Sequence, residues 1–463
     1  MIRRYFLLVI IHAVLLISCT AHYHINQPLD IAAVPGADTL NESLHHGKSS
    51  DTIAVSLAFS GGGTRAAAFS YGVLEELAAT KIVWEGRERR LIDEIETISS
   101  VSGGSFTAAY YGLFGDRIFE DFVDKFLKRD VQGKLISRVL SPLSWFKLGS
   151  GLYGRSEIAA QYYDEILFEG ATFGDMAARR GPFIQINATD AGFGVQFPFV
   201  PGLFNALCSD LSKFSVSRAV TASSAVPVLF NSITIRNYAG SCGYRMPDWV
   251  RAALAEPDRT TRRYRVAAQY AKYLDRETKP YVHLYDGGVS DNLGVRPFLS
   301  RLAMMGDAWE LIKNRGLENM HRMLMIVVNS QTELEPKYDR KENSLGLMET
   351  ILSSSSIPLN EYTFESMTLL RRLSADIDAQ IAKGRCAERA ANSESTVGCD
   401  DMRTYVVEVS FDGLSDETER LLLKHLPTSF RLAPEEVDTL RDAARKILQN
   451  SAEFQRFLRD LNE

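Results

Sequence analysis

Ile53-Ala54-Val55-Ser56-Leu57-Ala58-Phe59-Ser60-Gly61-Gly62-Gly63-Thr64-Arg65-Ala66 turns from strand to helix across three glycines. Ile53 to Phe59 is a short apolar run, the pattern of a buried strand. Ala66 to Leu77 then carries helix-forming residues with an apolar face. The same grammar returns at Ile95 to Ile98, followed by Gly103 to Leu113. Further strands are predicted at Phe183 to Ala188, Tyr281 to Tyr285, Met323 to Val328 and Tyr405 to Val409. Strand, glycine turn and helix, repeated, predict an α/β fold with a mainly parallel central sheet. Beyond Ser330 the chain reads as mainly helical, with a helix start at Ala433-Pro434-Glu435-Glu436. Arg117 to Lys128 reads as an amphipathic helix packed on the core through Phe119, Phe122, Val123 and Phe126. No internal repeat is present.

The whole chain has 463 residues, 45% hydrophobic and 24% charged, with 32 Gly and 15 Pro. That is ordinary globular composition, and it excludes disorder, collagen and a small disulfide scaffold. A mean hydropathy of -0.10 with one long apolar run excludes a polytopic membrane protein. The formal charge of -6 argues against a nucleic-acid partner, which calls for a basic surplus.

The apolar run is at the start. Arg3 and Arg4 precede Tyr5 to Ile17, a basic and then an apolar region in the manner of a secretory signal. The run is shorter than the ~20 residues a spanning helix needs. It ends Leu16-Ile17-Ser18-Cys19, which resembles the bacterial lipobox. Residues 1–18 are therefore expected to be removed and Cys19 lipidated, anchoring the chain to a membrane. Thr20 in place of an Asp leans toward the outer membrane, so the expected location is the bacterial cell envelope. Residues 19–50 read as the lipidated N-terminus and a flexible polar tether. Its His45-His46 pair reads as solvated linker, and no metal site is expected. Export permits disulfides. Cys386 and Cys399 flank a polar loop, and Cys208 and Cys242 are the other two; bridges and buried free thiols both remain open.

Three separated fragments carry chemistry. In the first, Gly61, Gly62 and Gly63 let backbone N–H groups converge, and the helix N-terminus adds positive dipole. Such a turn holds a phosphate or the oxyanion of an acyl transfer. Gly61, Gly63 and Ala66 also fit the dinucleotide pattern G-x-G-x-x-A. The second fragment is Ser99-Ser100-Val101-Ser102-Gly103-Gly104-Ser105, a nucleophile elbow with Ser100 where a Gly is usual. Small residues on both sides let the turn lift the Ser102 hydroxyl above the sheet. The third is Tyr285-Asp286-Gly287-Gly288, a carboxylate at the end of an apolar strand.

Of eight histidines, His12 lies in the signal, and His22, His24, His45 and His46 lie in the tether. His283 is an odd number of residues from Asp286, so the two point to opposite faces of a strand. His321 precedes a strand and His425 sits in no motif. A Ser102–Asp286 dyad therefore fits better than a triad, with Asp286 as a base raised above the free ~3.9 by burial.

These fragments, in this order, resemble the patatin-like phospholipase family. Ser102 matches its nucleophile, Asp286 its base, and Gly61, Gly62, Gly63 and Arg65 its oxyanion-hole motif. Gly104, Gly287 and Gly288 match the elbow and turn. Thr221 to Phe230 resembles the family's small-residue helix ending in Ala-x-Pro, where Ser223 and Ser224 are assigned no chemistry. The resemblance covers residues 51–330, leaving 331–463 as a helical region packed on that core. It implies a three-layer α/β/α fold and hydrolysis of lipid acyl esters of the phospholipase A or lysophospholipase type. Catalysis would need no cofactor. The expected partners are an acyl-ester lipid substrate and the membrane. Two other readings are a membrane-anchored binding or assembly protein with an inactive site, and a dinucleotide-binding oxidoreductase.

Overall fold

Side chains alternate across a strand. On β1 (Ile53–Phe59), Ile53, Val55, Leu57 and Phe59 enter the larger core, while Ala54 and Ala58 enter a smaller one on the opposite face. This alternation sets up a sheet with helices on both sides. The computed structural model describes residues 25–30, 50–141, 154–227, 229–332, 342–344 and 346–461. The expected signal segment, Cys19 and the His45-His46 pair lie outside the described residues.

The other strands are β2 (Lys81–Trp84), β3 (Arg87–Arg90), β4 (Ile95–Val101), β5 (Phe183–Asp190), β6 (Val195–Pro198), β7 (Ile233–Arg236), β8 (Tyr281–Tyr285), β9 (Arg322–Asn329) and β10 (Arg403–Ser410). The main sheet runs β10-β9-β1-β4-β5-β8-β7, with β6 also on β5. From β10 to β5 every pairing is parallel, while β6, β7 and β8 pair antiparallel. Strands β2 and β3 form a separate hairpin.

One face is covered by α1 (Gly63–Ala79), α2 (Gly103–Phe114) and α3 (Val216–Ser223). The other carries α4 (Arg296–Met305), α5 (Ala308–Lys313) and the long α6 (Leu347–Ala391). Then α7 (Pro434–Asn450) returns to the first face and packs on α1. Gly72 is that crossing point, since a β-carbon there would lie 2.5 Å from the Arg441 carbonyl oxygen. The predicted three-layer α/β/α architecture is the observed one. No described helix is long and apolar enough to cross a membrane.

The region after Ser330 does more than pack on the core. Strand β10 pairs with β9 from Arg403 to Ser410, so it completes the sheet's edge. The predicted helix over 117–128 forms as Ile118–Phe122 continued by a π-turn at Val123–Leu127, with Phe122 and Phe126 fully buried. Both cysteine pairs, Cys208–Cys242 and Cys386–Cys399, are disulfide-bonded.

Part of the expected free tether is tied down. The Asn26 amide donates to Ser209 Oγ (2.7 Å) and to the Arg236 carbonyl (3.0 Å), and its Oδ1 accepts from Arg236 N–H (2.7 Å). Leu29 N–H donates to the Cys208 carbonyl, beside the first disulfide. A polar segment docks here because each of its buried groups finds a partner. Asn26→Ala strands those partners and is expected to lower unfolding stability by ~1–3 kcal/mol, read in a denaturant titration. An unchanged midpoint would mean the segment is not docked in solution.

Candidate active site

The carboxyl ends of β1 and β4 bring the first two fragments together. Their register pairs Phe59 with Ser100, so the glycine turn and the elbow leave the sheet side by side. Ser102 has φ 49° and ψ -117°, a backbone conformation disfavoured for a non-glycine residue. Its surroundings hold it there. Ser102 N–H donates to Ser223 Oγ (2.8 Å), which donates to the Asn187 carbonyl (2.6 Å). The Asn187 amide donates to the Ser100 carbonyl (3.0 Å). Ser100 fits where a Gly is usual because it is still a strand residue, with its hydroxyl directed at the Gln185 carbonyl (3.3 Å). At Gly104 a β-carbon would lie 2.7 Å from that of Phe59, so only glycine fits so close to β1.

Asp286 arrives differently from the parallel-sheet expectation. Strand β8 runs antiparallel to β5 and pairs only Tyr285 with Thr189 and Leu284 with Asp190. It therefore ends beside the carboxyl end of β5, near the elbow. Asp286 N–H donates to the Ala225 carbonyl (3.0 Å), and Thr189 Oγ1 donates to the Asp286 carbonyl (2.8 Å). Gly287 lies against the Asn187 carbonyl, and Gly288 N–H donates to Asp286 Oδ1 (2.8 Å). Asp286 Oδ2 accepts a 3.0 Å hydrogen bond from Ser102 Oγ. Burial pushes the Asp286 carboxyl from 3.8 up to about 6, against the opposing pull of these two hydrogen bonds. Such a carboxylate is a stronger base than an exposed one.

The glycine turn divides by role. Gly61 N–H is already spent on the Asn292 carbonyl (3.0 Å), so it is not free to receive an oxyanion. The N–H groups of Gly62 and Gly63 have no acceptor among the described residues, and neither does that of Gly103. A β-carbon at Gly103 would lie 2.1 Å from the Gly63 carbonyl oxygen, and one at Gly63 (φ 61°) would lie 2.4 Å from the Ser429 carbonyl oxygen, so neither position has room for a side chain. Arg65, which follows the turn and could add charge to it or tie it down, is bonded through its whole guanidinium. Its Nε donates to the Ser330 carbonyl (2.9 Å), Nη1 to the Leu426 carbonyl (2.6 Å) and Nη2 to Thr428 Oγ1 (3.0 Å). It is a buried clamp holding the turn to the C-terminal region, and desolvation pulls its guanidinium down to about 10.

No described histidine bonds to either dyad member. His283 Nδ1 meets Thr234 Oγ1, and His321 and His425 meet the Asp401 and Leu421 carbonyls. No group of residues with metal-binding potential appears among the described residues. Ser223, expected only to pack, and Asn187, which belongs to no motif, both support the elbow. A signal for Asn187 was present: Gln185, Asn187 and Thr189 put polar residues at every second position of a buried strand. Ser223→Ala leaves the buried Ser102 N–H unpaired, a loss of ~1–3 kcal/mol of support for a strained backbone. The expected result is a fall in kcat of roughly tenfold to a hundredfold, with KM little changed.

Fold and site together define a three-layer α/β/α protein with a serine–aspartate pair at the carboxyl edge of its sheet. A family model, patatin-like phospholipase, matches residues 57–299, and the chain belongs to that family. No curated protein matches it. Among solved structures it is similar to human GIVD cytosolic phospholipase A2, at 12% identity and a TM-score of 0.46, covering 97% of this chain and 66% of that one. The same human enzyme with methyl gamma-linolenyl fluorophosphonate and terbium chloride gives 12% identity, a TM-score of 0.37, and 97% and 63% coverage. The chain thus spans 66% and 63% of the length of those chains, just under two thirds.

Proposed function

We propose that this protein is a lipid acyl hydrolase of the phospholipase A or lysophospholipase type, working through a Ser102–Asp286 dyad. The reading rests on the 3.0 Å hydrogen bond from Ser102 Oγ to a buried carboxylate, made by a serine on a strained elbow. Asp286 takes the Ser102 proton as Oγ attacks the ester carbonyl, and the negative charge develops on the carbonyl oxygen. The N–H groups of Gly62, Gly63 and Gly103 are the donors available to that oxyanion, each worth ~3–4 kcal/mol in related chemistry. Collapse expels the alcohol, which takes the proton from Asp286. Water, deprotonated by Asp286, then attacks the acyl carbonyl, and as the carboxylic acid leaves Asp286 returns the proton to Ser102 Oγ.

The dinucleotide reading is disfavoured because it leaves the Ser102–Asp286 hydrogen bond without a use and because the turn spends its Gly61 N–H on the Asn292 carbonyl. The test is turnover of a short-chain nitrophenyl ester and of phosphatidylcholine vesicles by the parent protein, Ser102→Ala and Asp286→Ala. Turnover of both substrates by the parent alone supports the proposal. Equal turnover by all three proteins sinks it. No turnover by any favours an inactive binding protein.

We also propose that Cys19 is lipidated and holds the protein at the bacterial envelope. The two disulfides support an exported location. Labelled fatty acid should be incorporated by the parent and not by Cys19→Ala; equal labelling contradicts the anchor.

A further inference from the structure

On the face of the sheet away from α1 and α2, β1 presents only Ala54, Ser56 and Ala58. Small side chains there leave a trough under α4, α5 and α6, running ~13 Å along the strand at the usual rise. It is partly open to solvent and offers about 80 Å³ to the centres of water-sized spheres. One water needs ~10–15 Å³ by that measure, so the space suits a chain of roughly six to eight carbons. Its wall is mainly apolar and includes Met320, Met323 and Met325, whose unbranched side chains adapt to a flexible guest.

The charged groups on this wall are Glu96, Arg301 and Arg315, one carboxylate against two guanidiniums. Arg315 is half-buried, and among the described residues no acceptor meets its guanidinium. Ser99 and Gly294 also line the trough, and Ser99 Oγ donates to the Gly294 carbonyl (2.6 Å). Ser102 and Asp286 are not on its wall. An apolar slot with one unmatched cation on its wall has the chemistry of a site for an alkyl-chain anion.

We propose that this cavity is a second binding site, separate from the dyad, for a medium-chain carboxylate. The chain lies over Ala54, Ser56 and Ala58, and the carboxylate meets Arg315. Fatty acid is also the product of the proposed hydrolysis, so the site would sense product; that link rests on the proposed function, whereas binding does not.

Calorimetric titration of the full protein with sodium octanoate and with 1-octanol tests it without turnover. The parent should bind one octanoate, and octanol at least about tenfold more weakly. Arg315→Gln should abolish that difference, and Ala58→Leu should weaken octanoate at least about tenfold. Ser56→Val is a milder filling change, and variants are compared only where they melt cooperatively. No saturable octanoate binding, or binding equal in the parent and both kinds of variant, overturns the proposal. Loss of octanoate binding after a fluorophosphonate has labelled Ser102 overturns it as well, by assigning the ligand to the dyad. Ester turnover with no octanoate binding would leave the hydrolase intact and remove the second site.

Discussion

Ser102→Ala is expected to cut ester turnover by at least about ten-thousandfold, the usual scale for removing a nucleophile that acts with its base as a unit. The fold should survive. Among the described residues the Ser102 hydroxyl has one partner, Asp286 Oδ2, so a single hydrogen bond is lost. Asp286 keeps its Gly288 N–H bond, and Ser102 N–H keeps Ser223. The alanine inherits the unfavourable φ of 49°. Ser102→Gly relieves it, so that variant should be equally inactive yet more stable than Ser102→Ala by ~1 kcal/mol. Matched activity loss with opposite stability ranking separates a strained nucleophile from an ordinary helix-start serine.

Asp286→Asn should abolish turnover and, unusually for a buried substitution, raise stability at neutral pH. Asparagine can still accept from Gly288 N–H and donate to Ser102 Oγ, so the contacts survive and only the charge is lost. Burial lifts the folded carboxyl from 3.8 to about 6, so the folded state binds its proton more tightly than the unfolded chain. Asp286 therefore favours folding below the lower value relative to neutral pH, and that advantage is lost as pH rises through about 6. At pH about 8 the charge opposes folding by up to ~3 kcal/mol, and the neutral asparagine amide removes that opposition. Below pH about 4 parent and variant should have equal stability. Parent kcat/KM should fall with the pH through about 6 as the base is protonated. A variant less stable than the parent at pH about 8 would contradict a buried, ionised base.

Much of this was legible because the relevant signals are local. Buried parallel strands are continuous apolar runs, and glycines mark where backbone must pass close to backbone. Hence β1, β4, β9 and β10 were predicted to within a few residues, and α1 and α2 followed from their glycine-rich starts. What escaped depends on partners distant in the chain. Nothing near Gly61 announces that the Asn292 carbonyl will claim its N–H. Nothing near Arg65 announces carbonyls at Ser330 and Leu426. The antiparallel course of β8 is likewise invisible from its own five residues, although it decides how Asp286 reaches Ser102. The docking of residues 25–30 escaped for the same reason, since a polar segment is tied down only by the groups it happens to meet.

The central claim, that Ser102 carries the acyl group, is tested most directly by mass spectrometry of protein quenched during turnover of a slow ester. The account predicts one added acyl mass on the peptide containing Ser102, present in the parent and absent from Ser102→Ala. Steady ester turnover with no adduct, or with the adduct on another residue, would contradict it.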